Sequence, residues 1–262
     1  MSTKYFISHL RERCLVRLEA DWPTTLLGWD QREQQATADG RYNPREEFPH
    51  PVLVIQLAQE LHLDHILPSA FYDLSRYGPR KIAAGASTVP SLLPSRYRTH
   101  MADPDSETCV LRLGAADLHT TFSGREEGQR FLAAFINAEL SERAVSANCQ
   151  NRHHADGHHC RESFYFVMLN LLRAVGGIAT GRDADPLFSL MQAAEMLSRT
   201  DFSDGTRQCG LRICAVCKED FSRAVARARR EAWEMIPVWF GLQQAKGASS
   251  QGPVSMLPEL EG

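Results

Sequence analysis

The sequence predicts an all-α protein, an irregular multi-helix region with long loops. Three observations carry this. Apolar residues return every three or four positions in segment after segment, which gives one-sided helical stripes. No run alternates apolar and polar residues as a half-buried strand does, and no internal repeat is found. Helix punctuation also recurs, with Pro or Thr at entries and Gly at exits.

The first helix is expected over Lys4 to Ala20, with Ile7, Leu10, Cys14 and Leu18 as its stripe. In DWPTTLLGWD, Pro23 suits a helix entry, and Thr24 or Thr25 can cap the next helix. Residues Ala36 to His50 are polar, with Gly40, Asn43 and Pro44, and read as a loop. PHPVLVIQLAQELHL is apolar over a width that predicts a mostly buried helix. DHILPSAFYDLSRYG follows at once, with Asp64 read as its N-cap and Gly78–Pro79 as its stop. These two helices should form a hairpin. Residues 79–107 lack periodicity and predict a long loop.

Helices resume at GAADLHTTFSG and at GREEGQRFLAAFINAEL, where Phe131, Leu132, Phe135, Ile136 and Leu140 share a face. RESFYFVMLNLLRAVGG predicts another, ended by Gly176–Gly177. DADPLFSLMQAAEMLSRT predicts the next, with Asp185 as N-cap and Pro186 at the first position. The last runs from near Cys214 to about Met235, before Pro237. Residues 1–242 are read as one helical region, with 79–107 as a flexible loop between sub-regions 1–78 and 108–242. Residues 243–262, rich in small side chains, are read as a disordered tail.

The chain is long enough to bury a core without disulfides. A net charge of −3 supplies no basic field that would draw it to nucleic acid or membrane. The N-terminus lacks the apolar stretch of a secretory signal, and the longest apolar runs are far below the roughly 20 residues that span a bilayer. An intracellular location, nucleus or cytoplasm, is expected. In a reducing compartment the seven cysteines are then thiols or metal ligands.

Two stretches carry what chemistry there is: CQNRHHADGHHC from Cys149 to Cys160, and CGLRICAVCKEDF from Cys209 to Phe221. Cys214 and Cys217 form a CxxC at a helix start, where backbone N–H groups favour thiolate. Cys149 and Cys160 can supply a second pair if their loop folds back. Cys149, Cys160, Cys214 and Cys217 are therefore the candidate ligands of a closed, structural zinc site. Cys209, or His158 or His159, can replace one of them. The competing reading is a polar loop and an unrelated helix start. A thioredoxin-like use of the CxxC lacks the βαβ context it needs.

Other motifs are weak. GGIATGRD has Arg182 and Asp183 where a phosphate-binding loop needs Lys and Ser or Thr, so it reads as a helix-ending loop. Arg223, Arg227, Arg229 and Arg230 on the last helix read as a solvated face before a nucleic-acid surface. The four tryptophans, Trp22, Trp29, Trp233 and Trp239, read as core or interface residues.

Several segments in order resemble the region that follows the BTB/POZ domain in basidiomycete fungal BTB domain-containing proteins. They are RERCLVRLEADWPTTLLGWD, HPVLVIQLAQELHLDHILPSAFYDLSRYG, GAADLHTTFSGREEGQRF, the Cys149/Cys160 stretch, DPLFSLMQAAEML, CAVC and REAWEMIPVWFGL. The resemblance implies a partly BACK-like helical region. It also implies pairing of the upstream cysteines with the CxxC, and an adaptor role with another protein as partner. The BTB domain is missing from the chain, so its homodimer and its cullin recruitment are not carried over. The expectation is a non-catalytic interaction module with no catalytic residues. The rivals are a hydrolase-like enzyme with a site assembled from distant residues, and a weak nucleic-acid binder using the last helix.

Overall fold

A computed structural model describes residues 8–37, 40–88, 109–152, 158–175, 179–203 and 208–242. Among them are ten α-helices and two short antiparallel ribbons, so the chain is all-α as its periodicity predicts. The helices are α1 (Ser8–Asp21), α2 (Leu26–Gln35), α3 (Pro44–Glu47), α4 (Pro51–Leu61), α5 (Leu67–Ser75) and α6 (Pro79–Ala84). After them come α7 (Ala115–Ile136), α8 (His159–Leu172), α9 (Pro186–Met196) and α10 (Ala215–Trp239). Strands β1 (Ala86–Thr88) and β2 (Cys109–Leu111) pair with each other, as do β3 (Phe202–Ser203) and β4 (Gln208–Cys209).

Two hydrophobic cores result. The first joins Trp22 and Trp29 to the apolar faces of α4 and α5, and it receives Leu187, Ile236, Trp239 and Phe240 from the far end of the chain. The second collects Leu132 and Phe135 of α7, Phe164 and Val167 of α8, Leu190 of α9 and Phe221 of α10. Helix α10 belongs to both. Its buried residues Cys217, Phe221, Val225, Ala228, Ala232, Ile236 and Trp239 recur every three or four positions. They form one stripe that runs from the second core into the first.

Local signals hold in several places. Thr25 caps α2 by accepting from the Gly28 N–H at 3.2 Å. Asp185 caps α9 by accepting from Phe188 N–H at 3.1 Å, with Pro186 at the first helical position. Trp22, Trp29 and Trp239 are buried.

Other expectations are corrected. The α1 stripe is a core face only at its end: Leu18 packs against the first core, Leu10 and Cys14 are exposed, Asp21 is the one buried residue of that helix, and Ile7 lies outside the described residues. Asp64 does not cap α5. His62 turns left-handed (φ 55°), and Asp64 then falls inside a 3-10 turn, with no cap bond from its side chain. The segment from residue 79 begins with α6 and β1 instead of loop, while 89–108 lie outside the described residues. Ribbons of two and three residues are too short to show alternation in a sequence. Gly85 opens the turn into β1 at φ 83°, where a Cβ would meet the Leu111 carbonyl oxygen at 2.2 Å. The tail residues 243–262 also lie outside the described residues.

GAADLHTTFSG and GREEGQRFLAAFI form one helix, α7, and not two. Gly124 costs that helix backbone entropy, yet its missing side chain makes room for Phe240, whose ring lies 2.1 Å from where a Cβ would stand. Helix α10 passes through Pro237 instead of stopping before it. A proline there removes the bond its N–H would give to the Trp233 carbonyl, and its ring crowds that carbonyl, a cost the packing of the turn has to outweigh. The turn is held by Trp239 and Phe240, buried at 7% and 3% exposure.

A buried ionic network, unsuspected from the sequence, ties the first core to α9. The Arg32 guanidinium lies over the rings of Phe48 (4.4 Å), Trp22 (4.6 Å) and Trp29 (4.9 Å) and donates to Asp73 at 2.8 Å. Asp73 also accepts from Arg45 at 2.6 Å and from Arg76. Arg76 reaches Glu33 and Asp185, each at 2.9 Å, and Asp185 accepts from the Tyr72 hydroxyl at 2.5 Å. Burial raises the Asp73 carboxyl, but Arg32, Arg76 and Arg45 outweigh it and hold the pKa far below the usual carboxylate range. Asp185 goes the other way, raised by burial against the pull of Arg76.

Replacing Asp73 with Ala leaves three guanidinium groups short of a counter-charge, so a loss of about 3–5 kcal/mol is expected in denaturant unfolding. A loss below about 1 kcal/mol would mean that the network is not integral to the fold. His50 predicts a pH effect. Burial first, and then the Arg45 charge, lower its pKa from 6.5 to about 4, and its Nδ1 accepts from Val52 N–H at 3.3 Å. The unfolded chain therefore binds a proton before the folded one does. Stability from His50 is full above pH 6.5 and is lost as pH falls toward 4. In thermal melts across that window the His50→Asn variant should show a shallower fall than the wild type. Equal slopes would contradict the assignment.

Candidate metal centre

The two cysteine stretches meet. Cys149 comes from a turn after α7, Cys160 from the first turn of α8, Cys214 from the N-cap of α10 and Cys217 from its first turn. Their four sulfurs lie within 4.8 Å of one another, and all four residues are buried. Cys149 Sγ is 3.7 Å from Cys160 Sγ and 3.8 Å from Cys214 Sγ. A disulfide would hold two sulfurs at about 2.05 Å, so these are free thiols.

The local reasons are simple. Cys214 sits in extended backbone before α10 and accepts from Cys217 N–H at 3.5 Å, so sulfur occupies the capping place usually held by oxygen. Cys160 accepts from Cys214 N–H at 3.3 Å and from Asn151 Nδ2 at 3.2 Å. Asn151 also donates to the Arg212 carbonyl at 3.2 Å, which ties the Cys149 turn to the residues leading into α10. The cluster lies inside the second core, beside Phe164 and Phe221.

Electrostatics divide the four thiols. Burial raises Cys214, but N–H donors from Cys217 and Gln150 outweigh it and bring its pKa down to about 6. Burial pushes Cys217 and Cys160 up, and their sulfur neighbours add to the rise. Four sulfurs at this spacing repel each other as thiolates. A cation among them removes that repulsion.

The structure brings together Cys149, Cys160, Cys214 and Cys217. His158 is exposed, and His159 contacts Glu162 at 3.5 Å; neither histidine belongs to the cluster. Cys209 lies on β4. The middle of the histidine run, residues 153–157, is outside the described residues.

The arginines of α10 are mostly spoken for. Arg223 pairs with Glu219 at 2.9 Å and with Asp220, Arg227 lies 3.7 Å from Glu139, and Arg229 binds Asp30 at 2.6 Å. A cavity of about 510 Å³ between α2, α9 and α10 is lined by Trp29, Glu33, Arg182, Asp185 and Arg229. Its charged groups also serve the fold. Arg182 bonds the Glu33 carbonyl (3.1 Å) and the Thr37 hydroxyl (2.5 Å), and Asp185 belongs to the buried network. No helix among the described residues is long and apolar enough to cross a membrane. Comparison of the chain with protein-family models, curated proteins and solved structures gives no match.

Burial makes the thiols unequal toward an alkylating reagent. Cys14 is exposed and should be modified first in the native protein, while the four cluster cysteines should react only after unfolding. Mass mapping of labelled peptides checks this. Labelling of Cys149 or Cys217 at the rate of Cys14 would contradict the buried cluster.

Proposed function

We propose that the chain is a non-catalytic helical interaction module, closed at one end by a structural zinc ion on Cys149, Cys160, Cys214 and Cys217. The observation that carries the metal is the set of four buried sulfurs within 4.8 Å of one another. A tetrahedron with Zn–S bonds of about 2.3 Å separates its sulfurs by about 3.8 Å. Two of the six sulfur separations, 3.7 and 3.8 Å, match that spacing, and all six are within 4.8 Å. Four soft thiolate ligands favour zinc or iron over hard cations. Four protein ligands also leave no open position for water, so the ion's role is structural. It pins the turn after α7, the start of α8 and the start of α10 to one point.

The interaction role is supported by the resemblance to the region following the BTB domain of basidiomycete proteins, and by apolar side chains left on helix surfaces. Leu10 and Val16 on α1 and Tyr165, Leu169 and Leu172 on α8 are exposed. The partner is another protein, and the charged groups of the cavity and of α10 are largely engaged within the chain.

Elemental analysis of untagged protein, purified without added metal, should find one zinc per chain. The Cys214→Ser/Cys217→Ser variant should lose the metal and melt at a much lower temperature, because metal-binding free energy is folding free energy here. A metal-free wild type, with the double variant melting alike, would overturn the centre.

A further inference from the structure

Helix α8 leaves an apolar stripe uncovered. Tyr165, Leu169 and Leu172 are 58%, 45% and 48% exposed, and Met168 is half-buried beside them. Their spacing of three, four and seven residues puts them on one side of the helix. The opposite side, with Cys160, Phe164, Val167 and Leu171, is in the second core. An α-helix this amphipathic on both faces has more apolar surface than its own domain uses.

We infer that this stripe is the contact between two copies of the chain, with the two α8 helices antiparallel about a twofold axis. The pattern is its own reverse. Turning α8 end for end about a point between Met168 and Leu169 carries Tyr165 onto Leu172 and Met168 onto Leu169. An isologous contact needs that self-complementarity.

The charges select the direction. At 100° per residue, Glu162 and Arg173 fall on the same flank of the stripe, Glu162 before it and Arg173 after it. In the antiparallel pair that flank is shared. Glu162 of one copy then comes within about 3 Å, along the helix axis, of Arg173 of the second copy, and the exchange happens twice. A parallel twofold pair would put the two Glu162 on opposite flanks of the seam, and likewise the two Arg173, so neither exchange could form. Glu162 is 71% exposed, and its contact with His159 at 3.5 Å leaves its outer side open to a second charge.

The contact is small. One helix of 14 residues against another buries less than the roughly 1,200 Å² of a standard interface, so the dimer is weak and depends on concentration. The inference names one partner for the interaction module proposed above and rests on that reading, not on the metal. A monomer would overturn the dimer and leave the module free to bind other proteins.

The test is sedimentation equilibrium of the full chain over a range of concentrations, with a phosphine reductant present so that the exposed Cys14 forms no disulfide. The mass should rise from 29.4 kDa toward twice that value. Leu169→Glu should weaken association by about 30-fold or more, with circular dichroism and zinc content as in the wild type. Glu162→Arg and Arg173→Glu should each weaken it, and the two together should restore it. A mass of 29.4 kDa at every concentration overturns the proposal. So does wild-type association of Leu169→Glu, or failure of the double charge swap to restore the dimer. Association that appears only when residues 243–262 are removed also overturns it, by giving the stripe to the chain's own end.

Discussion

Helix α10 must bury one apolar stripe along 25 residues, and the rest of the molecule is arranged around that constraint. No single core of this size is long enough to cover it. The first half of the stripe is covered by α7, α8 and α9, and the second half by α2, α5, α7 again and the segment around Trp22. The two cores therefore share a helix instead of meeting only at a surface. Polar contacts fix its position along the way. Arg229 reaches Asp30 and the Leu187 carbonyl, and Trp233 donates to the Thr24 carbonyl at 3.2 Å.

The two ends of α10 are held by different physics. At its C-terminal end the anchors are rings: Trp239 against Phe131 at 5.5 Å, and Phe240 against Phe71 at 5.9 Å. Gly124 exists to let that end approach α7. At its N-terminal end the anchors are sulfurs. Four buried thiols packed this closely gain little from hydrophobic contact, and as thiolates they repel. A cation held there would turn that liability into a crosslink among three segments far apart in sequence. The fixed first turn of α8, which contains Cys160, also sets how α8 presents its outer stripe.

The buried arginine network plays a different part. Its charges cost desolvation, which only good geometry returns. Arg32 lies over three aromatic faces and Asp73 accepts from three arginines, so each group is paired on several sides. The pairing makes the relative placement of α2, α5 and the start of α9 specific, since a slip of any one would strand a charge. Asp73 and Arg76 stand within the apolar run AFYDLSRY, but nothing local names the partners they are buried against. Charged residues inside a buried helix are the trace such a network leaves.

What the sequence by itself determined is what depends on neighbours along the chain. Periodicity set the helical class, and the caps at Thr25 and Asp185 with Pro186 set where α2 and α9 begin, because those bonds close within three residues. The cysteine quartet was legible as a candidate set, since a CxxC at a helix start carries its own local logic. Tertiary structure alone decided the rest. Whether Cys149 and Cys160 reach the CxxC depends on how α7, α8 and α10 pack. Helix α7 runs on through Gly124, and α10 through Pro237, because contacts with Phe240 and Trp239 outweigh the local cost. The α1 stripe looks like a core face in sequence and is exposed at Leu10 and Cys14, while Arg32 looks like a surface residue and is buried. Periodicity marks one side of a helix, and only the packing partners decide which side they cover.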